Sequence, residues 1–174
     1  VGTGFEQYTD LFVNFNISNY YEKLITSDKA TDIKRKQEGD YYENLFTYSI
    51  TLNKLDQNWQ PTSGFRTRFR QTLPIYSEDL ALENHFDASR YYSLSDQLIL
   101  SGKILLKTIS ALKDDENVRV SKRIYIPGSR LRGFEKGKIG PKDGDQFIGG
   151  NYGAALNINT TLPNIFAGYE NIDF

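Results

Sequence analysis

The sequence has no cysteine, no methionine and a single histidine in 174 residues. Without cysteine there is neither a disulfide scaffold nor a thiolate metal site, and the redox compartment is left open. An excess of either charge is missing too. Lys and Arg number 21 against 22 Asp and Glu, a net charge of −1. That balance gives no electrostatic footprint for nucleic acid, which calls for a basic face. No apolar run approaches the roughly 18 to 20 residues that a membrane helix requires. Mean hydropathy of −0.54 would, taken alone, put the chain in water. Membrane β-barrels escape such a scan, because only every second residue of a strand meets lipid. An initiator methionine and a charged-then-apolar leader are also lacking before Val1, as expected of an internal piece of a longer protein.

What is present is alternation. In segment 11–18, Leu11, Val13, Phe15 and Ile17 fall on one face and Asn14, Asn16 and Ser18 on the other. Period two over eight residues predicts a strand. The same pattern predicts strands over 46–53, 65–70, 82–89, 98–107 and 151–159, six in all. The third sets Phe65, Thr67 and Phe69 against Arg66, Arg68 and Arg70, and the fourth puts Glu83, His85, Asp87 and Ser89 on its polar face. A Leu162-Pro163-Asn164 break and a poorly patterned tail close the chain.

Connections between these strands run long, short, medium, short and very long, the last over 109–148. Outer-membrane barrels show such asymmetry, with short periplasmic turns and longer outside loops. Aromatics make up 14% of the chain. Tyr20, Tyr21, Tyr41 and Tyr42 sit at the long-loop ends of strands, and Trp59, Tyr91 and Tyr92 at the short-turn ends. Two bands a strand length apart resemble interfacial girdles. The patterning fits an antiparallel membrane barrel wall, and it also fits a soluble β-sandwich or lipocalin-like barrel with a solvated charged face.

Candidate chemistry is sparse. Glu83 and Asp87, four strand residues apart, place their backbones about 13 Å apart. Paired glycosidase carboxylates stand about 5 to 9.5 Å apart. His85 lacks a nucleophile or further ligands nearby in sequence. The glycines between 137 and 153 have no Gly-Lys-Ser/Thr ending and no following helix, so they do not read as a phosphate cradle. Arg66, Arg68 and Arg70 face the same way as Glu83 and Asp87, which predicts a charge ladder across neighbouring strands. A basic stripe that attracts clients or conducts ions is the rival reading.

Leu131-Arg132-Gly133-Phe134, then Gly140-Pro141, then Gly149-Gly150-Asn151 entering a strand, resembles the lid loop of the BamA family in the bacterial surface antigen superfamily. Segment 48–64, with Asp56, Pro61 and Gly64, is similar to that family's strand–turn–strand signature, in which these residues shape a periplasmic turn. The resemblance covers roughly residues 44–163.

It implies an all-β fold, a meander of about six strands belonging to a sixteen-stranded transmembrane β-barrel. Residues 1–174 would be the middle strands plus lid loop 109–148, without the periplasmic domains or the first and last strands. It also implies a non-enzymatic role, without cofactor, in assembling and inserting β-barrel proteins into the bacterial outer membrane. Partners would be unfolded barrel clients, outer-membrane lipid and, through the missing domains, periplasmic chaperones and accessory lipoproteins. Arg132 would reach into the lumen and pair with acids on the wall. The family's acid on the strand after the loop falls on Asn159 here, which brings no charge, and a second acid would lie beyond Phe174. A two-partner-secretion exporter of the same superfamily and a passive porin are the alternatives. Six strands alone leave two raw edges, which lipid does not tolerate.

Overall fold

The structure, a computed structural model, describes residues 1–95, 98–113 and 117–161. Alternating sequence becomes one antiparallel sheet. Its strands, in spatial order, are β1 (Gly2–Tyr8), β2 (Leu11–Leu24), β3 (Gly39–Leu55), β4 (Gly64–Ser77), β5 (Ala81–Ser95), β6 (Leu98–Ala111) and β9 (Tyr152–Thr161). Among the described residues the meander is open, with β1 and β9 at its edges. A short helix, α1 (Asp32–Arg35), interrupts the β2–β3 connection. The stretch from β6 to β9 holds two 3-10 turns and a small hairpin, β7 (Lys142–Asp143) with β8 (Gln146–Phe147).

Among the described residues the main sheet has seven strands where six are expected. The additional strand, β1, alternates Gly2, Gly4 and Glu6 with Thr3 and Phe5, and its two glycines erase the apolar signal. Both β2 and β3 run well past the alternating segments, into 19–24 and 39–45. Those ends mix tyrosine with charge on both faces, so pairing continues where hydropathy alternation stops. Similarly β6 takes up Ile109 to Ala111, which shortens the expected loop 109–148 at its start. The Leu162-Pro163-Asn164 break lies outside the described residues.

Strand register divides the sheet into two chemically distinct faces. Across β1 to β9 one row reads Phe5, Val13, Ile50, Phe69, Phe86, Leu106 and Ala154. Ring contacts at 6.1–6.4 Å join Phe5, Phe15, Phe46, Tyr48 and Phe69 on this face. It is uncovered: Leu156 is 66% exposed and Ile158 73%. One polar row crosses it, in which Tyr48 Oη donates to Gln71 (3.0 Å), Gln71 to Asn84 (2.6 Å) and Asn84 to Thr108 (3.1 Å). The opposite face carries Asn14, Ser49, Arg68, Asp87 and Asn157, and the buried residues lie on that side, in the strands and in the long loop that returns onto them. A soluble sandwich would show the reverse burial, with its apolar face sealed in a core.

Aromatic placement follows the same parity. Tyr21 and Tyr42, 4.8 Å apart, stand with Tyr76 and Tyr152 on the apolar face at the long-loop end. Tyr92 is on that face near the other end, where Trp59 is also exposed. By register Tyr20, Tyr41 and Tyr91 belong to the polar face, so they leave the two bands; Lys103 Nζ lies over the Tyr91 ring. Pro74 is accommodated by a bulge between β3 and β4, where a missing N–H disrupts the ladder least.

Candidate functional site

The site forms where the long loop returns onto the polar face. β4 and β5 pair from Gly64–Tyr91 to Thr72–Glu83, although β4 continues to Ser77. Into the space beyond this pairing the chain inserts residues 117–126. Val118 packs against Ala81 and Ile109 in a small apolar cluster flanked by Ala111 and Ile124. Ile124 exchanges backbone hydrogen bonds with Gly150 at 2.8 and 3.0 Å. Glycine is required alongside: a Cβ on Gly153 would lie 2.7 Å from Ile124 Cγ2, and Gly149 has a φ of +70°. The Gly-Gly-Asn entry to β9 is therefore a backbone seat for the returning loop.

Between Val118 and Val120 the Arg119 side chain is 2% exposed. Its guanidinium lies 2.6 Å from Glu43 of β3, 3.2 Å from Glu22 of β2 and 3.3 Å from Asp79 of the β4–β5 connection. The Tyr41 ring stacks beneath it at 3.8 Å, and Arg119 Nε donates to Ser121 Oγ at 3.0 Å. Ser121 in turn donates to Glu22 at 3.1 Å. Lys122 pairs with the same buried Glu43. A guanidinium withdrawn from water is tolerated only with such partners, since removing one side of a buried pair costs about 3–5 kcal/mol. Nη1 faces Asp79 without hydrogen-bond geometry, so that contact supplies charge rather than a directed bond.

A second arginine fixes the loop further along. Arg130 pairs with Asp87 of β5, and its carbonyl accepts from Asn157 Nδ2 of β9 at 2.9 Å. Leu131 and Phe134 follow in tight turns, with Gly133 at φ +85° and the Phe134 ring largely exposed. Arg132 is exposed and shares a cavity of about 260 Å³ with Arg130, Lys103, Asn157 and Asn159. Among the described residues it has no ion pair. Gly140 (φ +119°) leads into Pro141, whose carbonyl accepts from Ile148 N at 3.0 Å and closes the β7–β8 hairpin.

Arg66, Arg68 and Arg70 do share a face with Glu83 and Asp87, and Arg68 is the direct cross-strand partner of Asp87. Among the described residues no ion pair joins the three arginines to either acid. Asp87 is taken by Arg130, and Arg68 Nε donates to Thr51 at 3.3 Å. In the β3–β4 turn Asp56 accepts from the Thr62 and Ser63 amides at 3.1 and 3.2 Å. Gly64 there has φ +94°, and a Cβ would lie 2.0 Å from the Lys54 carbonyl oxygen. Pro61 precedes this staple. Sequence reasoning passed over Arg119; its signal was an arginine between two valines inside an otherwise polar loop.

An open sheet with an uncovered apolar face and a loop clamped on its charged face is barrel-wall geometry, and the model of the Omp85 superfamily domain matches residues 1–174. The chain belongs to the Omp85 superfamily. This Omp85 chain is 27% identical over 147 residues to a protein of Neorickettsia risticii (strain Illinois) named outer membrane protein assembly factor BamA, covering 82% of the chain and 20% of that relative. It is also 27% identical over 146 residues to a SAM50-like protein of Schizosaccharomyces pombe, covering 79% of the chain and 30% of that relative. The chain thus spans between a fifth and a third of the length of these relatives. Set in a barrel wall, its apolar face meets lipid and its polar face lines the lumen.

Proposed function

We propose that this Omp85 chain forms part of the wall and the lid loop of a barrel that assembles and inserts other β-barrel proteins in the bacterial outer membrane. The observation that supports the reading best is the two-faced sheet, bare on its apolar side and occupied by the loop on its charged side. The name of the Neorickettsia relative points the same way. On this reading the role is non-enzymatic and uses no cofactor. An unfolded client strand gains backbone hydrogen bonds by pairing at an open strand edge, where unpaired N–H and C=O groups would otherwise face lipid. Accessory subunits and chaperones would engage other parts of the full-length protein.

Arg132, exposed and without an ion pair among the described residues, is placed to pair with an acid elsewhere in the wall, and Asn159 lines its cavity. Reconstitution of the full-length protein in vesicles, with client folding followed by protease protection, tests the proposal. Arg132→Ala is expected to slow client insertion, and Asn159→Glu to tighten the loop against the wall. Client insertion that proceeds equally well without the protein would refute the assembly role.

A further inference from the structure

We infer that Arg119, outside the Leu131–Phe134 motif, is the positioning residue that seats the lid loop on the inner wall. The inference rests on the reading of residues 117–151 as a lumenal lid. Its carboxylates come from three separate elements, Glu22 on β2, Glu43 on β3 and Asp79 between β4 and β5, so the guanidinium closes only when all three stand in register. Tyr41 fixes the plane of the fork from below. The planar, five-donor group is what this cage accepts; an ammonium would keep the charge and lose the fork and the stacking.

The flanking residues show that seating, and not charge alone, is at stake. Val118 is 3% exposed, in contact with wall residues Ala81 and Ile109. The Val120 amide donates to Gln37 Oε1 of the β2–β3 connection at 2.8 Å. Arg119 thus holds a segment whose one neighbour, Val118, packs on β5 and β6 while the other, Val120, is tied to the β2–β3 connection. Arg130 anchors a different part of the loop to β5 and β9. The lid has two independent fixings on two parts of the wall, and the first is the more deeply buried.

This chain has no cysteine, so in a full-length protein with any cysteine outside it replaced by serine, a single Val118→Cys substitution reports loop seating through its reaction with a bulky, membrane-impermeant maleimide. With Arg119 present labelling is slow. Arg119→Gln is expected to raise the rate at least about tenfold, the loss of one charged hydrogen bond, and Arg119→Lys to restore it only in part. An unchanged rate in a folded, heat-modifiable Arg119→Gln barrel overturns the inference. Should that variant fail to fold, Glu22→Gln is read the same way: faster labelling supports the clamp and an unchanged rate overturns it. Client insertion is measured on the same samples. Faster labelling with insertion unaffected would keep the clamp and count against the assembly role.

Discussion

At the scale of single residues, the loop is held by charge that the wall supplies. Arg130 and Asp87 are partly buried, and the pair joins positions 43 apart in sequence. A double-mutant cycle with Arg130→Ala and Asp87→Ala should return a coupling of about 1.5 kcal/mol. Additive losses in unfolding experiments would mean that the two side chains do not interact. Glu43 is the residue whose loss is hardest to compensate. It is 7% exposed and accepts from both Arg119 and Lys122, so Glu43→Ala would leave two cations without their nearest acid.

At the scale of elements, the β3–β4 turn and the polar row across the lipid face carry separate expectations. The Thr62 hydroxyl, with help from the Ser63 and Thr62 amides, holds the Asp56 carboxyl below its ordinary range. A depressed folded-state pKa stabilises the turn above the ordinary carboxylate value of about 3.9. That contribution fades as pH falls through the folded value. Hydrogen exchange at Thr62 and Ser63 should therefore show an acid-dependent loss of protection that Asp56→Asn removes; identical profiles would sink the staple.

In the lipid-facing row, Asn84→Leu strands the Gln71 amide and Thr108. It should destabilise the barrel by about 1–3 kcal/mol, read by denaturant unfolding in vesicles; a neutral result would mean the row carries no load. Elements were legible in the sequence where the two-faced sheet imposes alternation, as at Phe46–Leu52 on β3. They were not legible beyond it, where Tyr20 to Leu24 pair with Gly39 to Glu43 through the backbone ladder and through side chains that follow no hydropathy period, as in the Tyr21 hydroxyl donating to Asp40 at 2.7 Å. The turn residues Asp56 and Gly64 were recognisable because their chemistry is local. The Arg119 cage was not, since its acids lie 40 to 97 positions away.

At the scale of the whole molecule, the described residues form a sheet with two unpaired edges and an uncovered apolar face, which on the proposed reading is a piece of wall completed by lipid and neighbouring strands. The central claim is that lipid meets the even positions of β3 and the lumen meets the odd ones. Spin labels placed singly at each position from 46 to 51 in the membrane-inserted full-length protein, with collision rates measured against oxygen and a water-soluble nickel chelate, test this most directly. Oxygen should dominate at Phe46, Tyr48 and Ile50 and the chelate at Thr47, Ser49 and Thr51; a flat profile, or one of opposite phase, would contradict the account.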